Sequence, residues 1–277
     1  MNKNKHLLTA LFLAGTLLTT TSCGNVLPAN TLVVGLECDY APFNWTQTSP
    51  SDYALPIQGI QGQYADGYDV QIARYIAKDL NYDIQIKKIE WDSLISSLRA
   101  NQINVIIAGM SETPIRATQI DFSDPYYTSE MCGLVKIGSG LETITNIQEL
   151  SGHKVISQLG TVQDQVIDQI SGVNHLTGAD SFDTAALMVR NGNADCLILE
   201  YPVAANYVAT YNDVAIISFT NGNFTGLNEN DLSVSVGVNK NNRELKNLIN
   251  ESLANLTAET RNTMMEAAGE RIRNLHQ

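Results

Sequence analysis

The sequence has few basic residues, and none of them are gathered into a run. Lys and Arg number 17 against 29 Asp and Glu, which gives a formal net charge of −12. Because phosphates are bound by a face rich in Lys and Arg, this balance excludes nucleic acid as a partner. Hydrophobic residues make up 44% of the chain and charged residues 17%. That composition is typical of a globular protein, and 277 residues allow one large domain or two ordinary ones.

Cysteine and histidine are also scarce, with four of each. Cys38, Cys132 and Cys196 show no metal-ligand spacing, so we expect no metal and no cofactor. One disulfide among these three remains open, and buried free thiols are our preferred interpretation. No histidine has an evident nucleophile or carboxylate partner in the sequence, so no catalytic centre is predicted.

Only one apolar run approaches membrane character, and it lies at the N-terminus. Lys3 and Lys5 precede the apolar residues 7–18, which are too few to span about 30 Å of hydrocarbon. They fit a secretory signal. The following Thr20-Thr21-Ser22-Cys23 resembles a bacterial lipobox. We therefore expect removal of residues 1–22 and lipidation of Cys23, with 23–31 as a tether on the extracytoplasmic face of the cell membrane. A plain secretory signal, giving a secreted or periplasmic protein, is the alternative.

Strand and helix patterns alternate in the first part of the chain. Residues 31–36 and 105–108 are apolar runs typical of buried strands. Between them, apolar residues repeat at helical spacing over 70–80, behind Asp69 as a predicted N-cap. The polar stretch 44–67, rich in Pro, Gly and Tyr, is predicted to be a long loop. This alternation predicts a parallel sheet covered by helices on both faces.

The same alternation begins again near residue 153. Residues 154–157 and 196–199 are predicted strands, and a helix from about 181 to 191 is expected to stop at Gly192. Residues 233–238 alternate as an extended segment. The sequence therefore predicts two α/β lobes of similar size, and the cleft between two lobes is the default ligand site.

An anion site is predicted directly after the strand at 105–108. Thr113 suits an N-cap and Pro114 the first helical position, so Arg116 falls in the first turn. The helix dipole disfavours a cation there, and a bound carboxylate would resolve the conflict through a bidentate contact. The alternative is a surface arginine paired with Asp121 or Asp124.

The second half repeats this arrangement at the turn containing Gly160 and Thr161. Glycine permits close approach of the backbone, and the hydroxyl and nearby amides face the region above the sheet. Glu200 follows the strand 196–199, at the carboxyl end where open α/β sheets bind ligands. A carboxylate at this place suits an ammonium group. The alternative is a solvated loop acid.

These features together resemble the extracellular solute-binding proteins of polar amino-acid ABC transporters, bacterial solute-binding protein family 3. The resemblance covers about residues 31–256 and implies an α/β fold of the type II periplasmic-binding-protein class. The motifs that match in order and spacing are Tyr40-Ala41-Pro42-Phe43, Asp66-Gly67-Tyr68-Asp69-Val70, Trp91-Asp92-Ser93-Leu94-Ile95, Gly109 to Arg116, Phe122-Ser123-Asp124-Pro125-Tyr126-Tyr127, Leu159-Gly160-Thr161 and Asp195 to Pro202.

The resemblance also implies how the lobes are joined and what they bind. The first lobe is expected over 32–131 plus 239–277 and the second over 132–238. The chain would cross a hinge near 130–135 and again near 232–238. The expected partners are an L-amino acid, an ABC permease and, through the permease, an ATPase subunit. Membrane contact is expected through the lipid anchor only.

Within the resemblance, Arg116 binds the α-carboxylate of the ligand. Ser111 and the backbone of Gly109 assist it from the same lobe. Thr161 and the amide of Val162 assist from the other lobe. Closure of the two lobes would bring both sets onto one ligand.

The same resemblance assigns the rest of the ligand. Glu200 binds the α-ammonium, where the family more often has Asp. Tyr40 and Trp91 stack around the ligand side chain, with ordinary core packing as the alternative for both. Gln158 occupies a pocket position that varies with specificity.

Glu37 matches a position where relatives place an acid near the end of the ligand side chain. A buried, unpaired carboxylate is unfavourable, so a cationic or donor-bearing side chain is expected there. A cation beside Tyr40 and Trp91 also gains cation–π contact. Arginine, lysine, ornithine or histidine is therefore predicted, with glutamine as the second choice. A sensory lipoprotein and a cyclohexadienyl-dehydratase-like enzyme are the alternatives from other functional classes.

Overall fold

The computed structural model describes residues 27–275. The predicted signal peptide 1–22 and Cys23 lie outside the described residues. Within 27–275, the helices are too short or too polar to cross a membrane. Two five-stranded sheets, each accompanied by helices, form the framework of two lobes, as predicted from the repeated alternation of strands and helices.

The first lobe is built around β1 (Thr31–Leu36), which is buried along its whole length. It pairs in parallel with β6 (Asp83–Lys88) on one side and β7 (Val105–Ile106) on the other. Next to β7 lie β14 (Ser233–Val238) and then β8 (Asp121–Thr128), with β14 antiparallel to both neighbours. The helices of this lobe are α1 (Tyr68–Leu80), α2 (Leu94–Arg99), α3 (Pro114–Ala117), α7 (Arg243–Ala254) and α8 (Ala258–Leu275).

The second lobe has a sheet of the same size. Its strand β10 (Lys154–Ile156) pairs in parallel with β11 (Asn174–His175) and β12 (Cys196–Glu200). Strand β9 (Met131–Lys136) runs antiparallel to β12 and to β13 (Val214–Ile217), which forms the edge. The helices of this lobe are α4 (Val162–Val166), α5 (Phe182–Arg190) and α6 (Tyr201–Thr210).

The chain crosses between the sheets twice, at 129–130 and within 218–232. The expected boundaries placed 233–238 with the second lobe, and this is corrected by the pairing of β14. That strand bonds to β7 and β8, so it belongs to the first sheet. Its pairing partners are more than a hundred residues away in the chain, and short-range patterns therefore do not reveal its lobe.

The stretch 44–67 is not the long loop that was predicted. It forms three short strands, β3 (Asn44–Gln47), β4 (Leu55–Pro56) and β5 (Tyr64–Asp66). With β2 (Asp39–Tyr40) they make a small antiparallel sheet in the order β2-β3-β5-β4. Strands of two to four residues are too short to show an alternating pattern, and the Pro and Gly content favoured a loop.

The predicted N-cap of α1 is also corrected. The helix follows Gly67, whose φ is +134° and where a Cβ would lie 2.2 Å from the carbonyl oxygen of Phe43. Asp69 instead lies in the first turn, fully buried. Its carboxylate accepts hydrogen bonds from Tyr126 Oη at 2.7 Å and Asn44 Nδ2 at 2.8 Å. Burial raises the pKa of Asp69 to about 7, although these hydrogen bonds oppose the rise.

Candidate ligand-binding site

A cavity lies between the lobes, where strands of both sheets end. The ten residues predicted for the ligand line it together, and their side chains leave only about 10 Å³ free. Gln163 and Phe182 line it as well and were not predicted. The predicted residues around it are Glu37, Tyr40, Trp91, Gly109, Ser111, Arg116, Gln158, Thr161, Val162 and Glu200.

Arg116 is positioned by the helix start that the sequence indicated. The Thr113 side chain accepts a hydrogen bond from the Arg116 amide at 3.2 Å, and Pro114 is the first residue of α3. Arg116 is 8% exposed. The alternative of a surface arginine paired with Asp121 or Asp124 is wrong, because the guanidinium lies in the cavity.

The Arg116 guanidinium contacts both lobes. Its Nη1 donates to the Ser111 carbonyl at 2.8 Å, and its Nη2 donates across the cleft to the Gly160 carbonyl at 3.0 Å. It also lies 4.9 Å from the centroid of the Trp91 ring, within cation–π range. Burial lowers the pKa of Arg116 to about 10, with the Glu200 charge opposing the shift. Arg116 therefore stays cationic, and its acceptors are neutral carbonyls.

Glu200, the last residue of β12, is the buried carboxylate of the second lobe. It is 7% exposed, so the alternative of a solvated loop acid is wrong. One oxygen accepts a hydrogen bond from Tyr40 Oη of the first lobe, and the other accepts one from Gln163 Nε2. Burial raises the pKa of Glu200. The two hydrogen-bond donors and the Arg116 charge lower this pKa, but by a smaller amount than burial raises it. Gln163 follows the predicted site residue Val162 in the first turn of α4. This adjacency was the one feature of the sequence that could have indicated Gln163 as a site residue.

Tyr40 joins the lobes through its ring as well as its hydroxyl. The ring stacks on Phe43 of its own lobe, with centroids 5.1 Å apart, and on Phe182 of the second lobe at 5.0 Å. Tyr40 therefore both packs against neighbouring rings and lines the cavity, so the two alternatives given for it do not exclude each other. Phe182 is the first residue of α5, after Ser181 as N-cap. Nothing in its local sequence indicates contact with the other lobe.

Glu37 lies just beyond β1 and is 4% exposed. Gln158 Nε2, from the second lobe, donates to its Oε1 at 2.8 Å. Burial, followed by the charge of Asp39, raises the pKa of Glu37 to about 8, and the Gln158 hydrogen bond opposes this. In this arrangement Glu37 is mostly protonated at neutral pH.

Two turns complete the walls of the cavity. Thr161 caps α4 by accepting from the Asp164 amide at 3.1 Å, and its hydroxyl donates to the Gln158 carbonyl at 2.7 Å. Gly109 has φ +62°, and a Cβ there would meet Tyr40 Cε1 at 2.7 Å. Both turns therefore place backbone close to the cavity with little room for change.

Other titratable groups lie outside this cavity. His175 contacts Asp164 at 3.1 Å and Asp168 at 2.8 Å, and His153 contacts Asp195 at 3.4 Å, partners that the sequence did not indicate. Within residues 27–275 there is no group of three His, Cys, Asp or Glu suited to a metal ion. The described cysteines, Cys38, Cys132 and Cys196, are buried free thiols.

Two α/β lobes that enclose buried groups of opposite charge define a two-lobed ligand-binding protein. Residues 32–267 match the family described as bacterial extracellular solute-binding proteins, family 3, and the chain belongs to this family. The predicted type II periplasmic-binding-protein fold is confirmed.

Named relatives are similar to this chain in sequence, and solved structures are similar to it in fold. The arginine-binding extracellular protein ArtP of Bacillus subtilis is 29% identical over 66% of this chain and 66% of its own. The L-cystine-binding protein TcyJ of Escherichia coli is 30% identical, covering 82% of this chain and 77% of that protein. The structure of AbpA from Streptococcus pneumoniae, an amino acid ABC transporter substrate-binding protein bound to L-arginine, aligns with a TM-score of 0.73 and 26% identity. That alignment covers 87% of this chain and 95% of AbpA.

Proposed function

We propose that this protein is the substrate-binding component of an ABC importer and that it binds a basic L-amino acid, with arginine as the first candidate. The observation behind the proposal is that Arg116 and Glu200, both buried and supplied by opposite lobes, line one cavity. An α-amino acid offers a carboxylate to the first and an ammonium to the second. ArtP, named as arginine-binding, and AbpA, solved with bound L-arginine, support arginine, whereas the name of TcyJ indicates L-cystine.

The ligand carboxylate would take over the contacts that Arg116 now makes with two neutral carbonyls. A bidentate, charge-assisted pair is stronger than hydrogen bonds to neutral acceptors, so the exchange is favourable. Because only about 10 Å³ is free between the side chains, the ligand must enter while the lobes are apart. Rotation about the two crossings would then close them on it.

Glu37 would face the far end of the ligand. A guanidinium or ammonium at this position would lower the pKa of the Glu37 carboxyl and so favour its ionised form. It would also replace the Gln158 amide as the hydrogen-bond donor to Glu37. Trp91 and Tyr40 lie beside this position and offer their ring faces. Glutamine is the second candidate, because the Gln158 amide already makes the contact with Glu37 that a glutamine side chain would make.

The proposal extends to location and partners. Lipid on Cys23 would hold the protein at the outer face of the membrane, near a permease coupled to an ATPase. We propose no enzymatic activity, so a bound amino acid should be recovered unchanged. Replacing Cys23 by Ala should move the protein from the membrane fraction to the soluble fraction of the envelope.

The direct test is a thermal-shift screen of the mature chain against all the common amino acids, ornithine and cystine, followed by calorimetry. A ligand that binds only the folded state raises Tm by mass action. Arginine is expected to bind at micromolar Kd, about −8 kcal/mol. If glutamine raises Tm and no basic amino acid does, the Glu37 assignment is wrong.

Arg116→Ala is expected to weaken binding by about 30-fold or more, because truncating a buried charge partner typically removes about 2–5 kcal/mol. Arg99→Ala is the matched control, since Arg99 is an exposed arginine of the same lobe and should leave affinity unchanged. Unchanged affinity in Arg116→Ala would exclude the carboxylate assignment.

A further inference from the structure

Asp69 is linked to the candidate ligand site by hydrogen bonds, although it is not among the residues that line the cavity. It lies in the first turn of α1 and is fully buried. Its Oδ1 accepts a hydrogen bond from Tyr126 Oη at 2.7 Å, and its Oδ2 accepts one from Asn44 Nδ2 at 2.8 Å. Both donors belong to fully buried residues. Because a buried polar group is costly to leave unpaired, this arrangement can change little without the loss of a contact.

Tyr126 extends this network to the turn at Gly109. The Tyr126 hydroxyl accepts a hydrogen bond from the Gly109 amide at 3.0 Å, and Gly109 lines the cavity with φ +62°. A hydroxyl has one hydrogen, and Asp69 receives it. The lone pairs of the hydroxyl oxygen are thereby left facing the Gly109 amide. Asp69 therefore holds the Gly109 turn through the orientation of the Tyr126 hydroxyl.

Asn44 extends the network to a second turn, directly after Glu37. Its Oδ1 accepts a hydrogen bond from the Cys38 amide at 2.7 Å. Cys38 has φ +61°, an unfavourable value for a residue with a Cβ, which surrounding contacts must maintain. The Asn44 side chain presents its oxygen to this amide while its Nδ2 points the other way, toward Asp69. Asp69 therefore also sets the conformation next to Glu37, another residue that lines the cavity.

We propose that Asp69 is a positioning residue for ligand binding. Through Tyr126 it holds the turn at Gly109. Through Asn44 it holds the turn at Glu37. Both turns belong to the first lobe and border the same cavity, so one buried carboxylate keeps two walls of the site in register. The hydrogen-bond network is independent of the proposed function, whereas its effect on affinity rests on that function.

The network is tested first without any amino acid, by amide hydrogen exchange of the mature chain followed by NMR. Asp69→Asn keeps the shape of the side chain but replaces one acceptor oxygen by a donor. Whichever way the new amide is turned, Tyr126 or Asn44 meets a second donor. The amide of Gly109 or Cys38 is therefore expected to exchange about tenfold faster relative to other core amides, which report global stability. If neither amide does so, the network is wrong.

A double variant exchanges the two groups. In Asp69→Asn combined with Asn44→Asp, the carboxylate at position 44 can accept from the Cys38 amide and from the new amide at position 69. The oxygen of that new amide can accept from Tyr126, so every hydrogen bond of the network is restored. Slow exchange should return at both turns. If the amides remain fast in the double variant, the hydrogen bonds traced to Asp69 do not hold the turns.

Tyr126→Phe interrupts only the connection to Gly109 and changes no charge. It is expected to speed exchange at Gly109 and not at Cys38, and it serves as the second route should Asp69→Asn fail to fold. Asn104→Ala is the matched control, because Asn104 Nδ2 also pairs with backbone of the first lobe, donating to the carbonyl at position 31 at 2.6 Å. That carbonyl lies at the opposite end of β1 from Glu37. The control should lower Tm but leave relative exchange at the two turns and the affinity unchanged.

Calorimetry with arginine then links the network to binding. Asp69→Asn and Tyr126→Phe should each raise Kd by about tenfold, and the double variant should return to within about threefold of wild type. Because Tyr126→Phe keeps the net charge, a higher Kd in that variant cannot be due to a lost charge near the ligand. If Kd is unchanged while Tm falls, or stays high in the double variant, Asp69 does not position the site and the proposal is wrong. If exchange responds as expected and no amino acid binds the wild type, the proposed function fails and the network stands.

Discussion

Glu37 is the residue whose ionisation depends most on what faces it across the cleft. Burial and the neighbouring charge of Asp39 raise its pKa to about 8, so below that pH it is mainly protonated. A cationic ligand side chain would favour the carboxylate and lower this pKa. Binding of a basic amino acid is therefore expected to release a proton at neutral pH.

The first prediction is that arginine affinity rises with pH up to about pH 8 and then levels off. The free protein holds the extra proton, so the slope below that pH approaches tenfold in Kd per unit. Calorimetry in buffers of different ionisation enthalpy measures the proton release. In Glu37→Gln the arginine affinity should fall and this slope should be lost. An equal slope in wild type and Glu37→Gln would assign the proton to another group.

Residue patterns alone indicated three residues of the candidate site, and the family resemblance supplied the other seven predicted ones. Arg116, Thr161 and Glu200 stand at strand ends or helix starts, where chemistry and position can be read locally, and the structure brings them to one cavity. Their roles in binding remain predictions. Gln163 and Phe182 were missed because their contacts are with Glu200 and Tyr40, residues distant in the chain.

At the scale of elements, an ion pair with a buried carboxylate helps to hold α8. Arg271 makes two hydrogen bonds of 2.9 Å to the Asp66 carboxylate, which is 1% exposed. The same guanidinium lies 4.5 Å from the Tyr53 ring centroid. Helix α8 packs against α1 of the first lobe and α6 of the second. The ion pair therefore links the C-terminal helix to β5 of the first lobe.

Arg271→Ala is expected to lower the free energy of unfolding by about 3 kcal/mol, because it leaves the Asp66 charge buried and without its partner. Urea unfolding monitored by circular dichroism gives this value. Arg273→Ala, two residues further along α8, should cost less than about 0.5 kcal/mol. Equal losses in the two variants would show that the Asp66 pair does not hold the helix.

Elements with strong periodicity were predictable, and those set by tertiary contacts were not. Helix α1 was found from its apolar repeat, but its start was misplaced at Asp69. The Asp69 carboxylate accepts hydrogen bonds from Tyr126 and Asn44 instead, and no local pattern indicates these contacts. The strands β3, β4 and β5 were likewise hidden, because their pairing and not their residue types makes them strands.

At the scale of the whole molecule, the two lobes were visible as two rounds of strand and helix. The return crossing was misplaced because β14 is buried along its whole length, so its residue pattern fits either sheet. Only its pairing with β7 and β8 assigns it to the first lobe. The lobe count thus follows from local pattern, whereas the path between lobes depends on contacts across the chain.

The closed arrangement depends on contacts between the lobes that involve no ligand, and Phe182 is the simplest of these to remove. Phe182→Ala deletes its stacking on Tyr40, worth about 0.5–1.5 kcal/mol. The lobes should then separate more readily, giving a larger radius of gyration by X-ray scattering without ligand and about three- to tenfold weaker arginine binding. Ile167→Ala is the control, because that fully buried side chain packs in the core of the second lobe and lies outside both crossings. It should lower Tm yet leave the radius of gyration and the affinity unchanged. If both variants alter the radius of gyration alike, loss of stability and not loss of the inter-lobe contact is the cause.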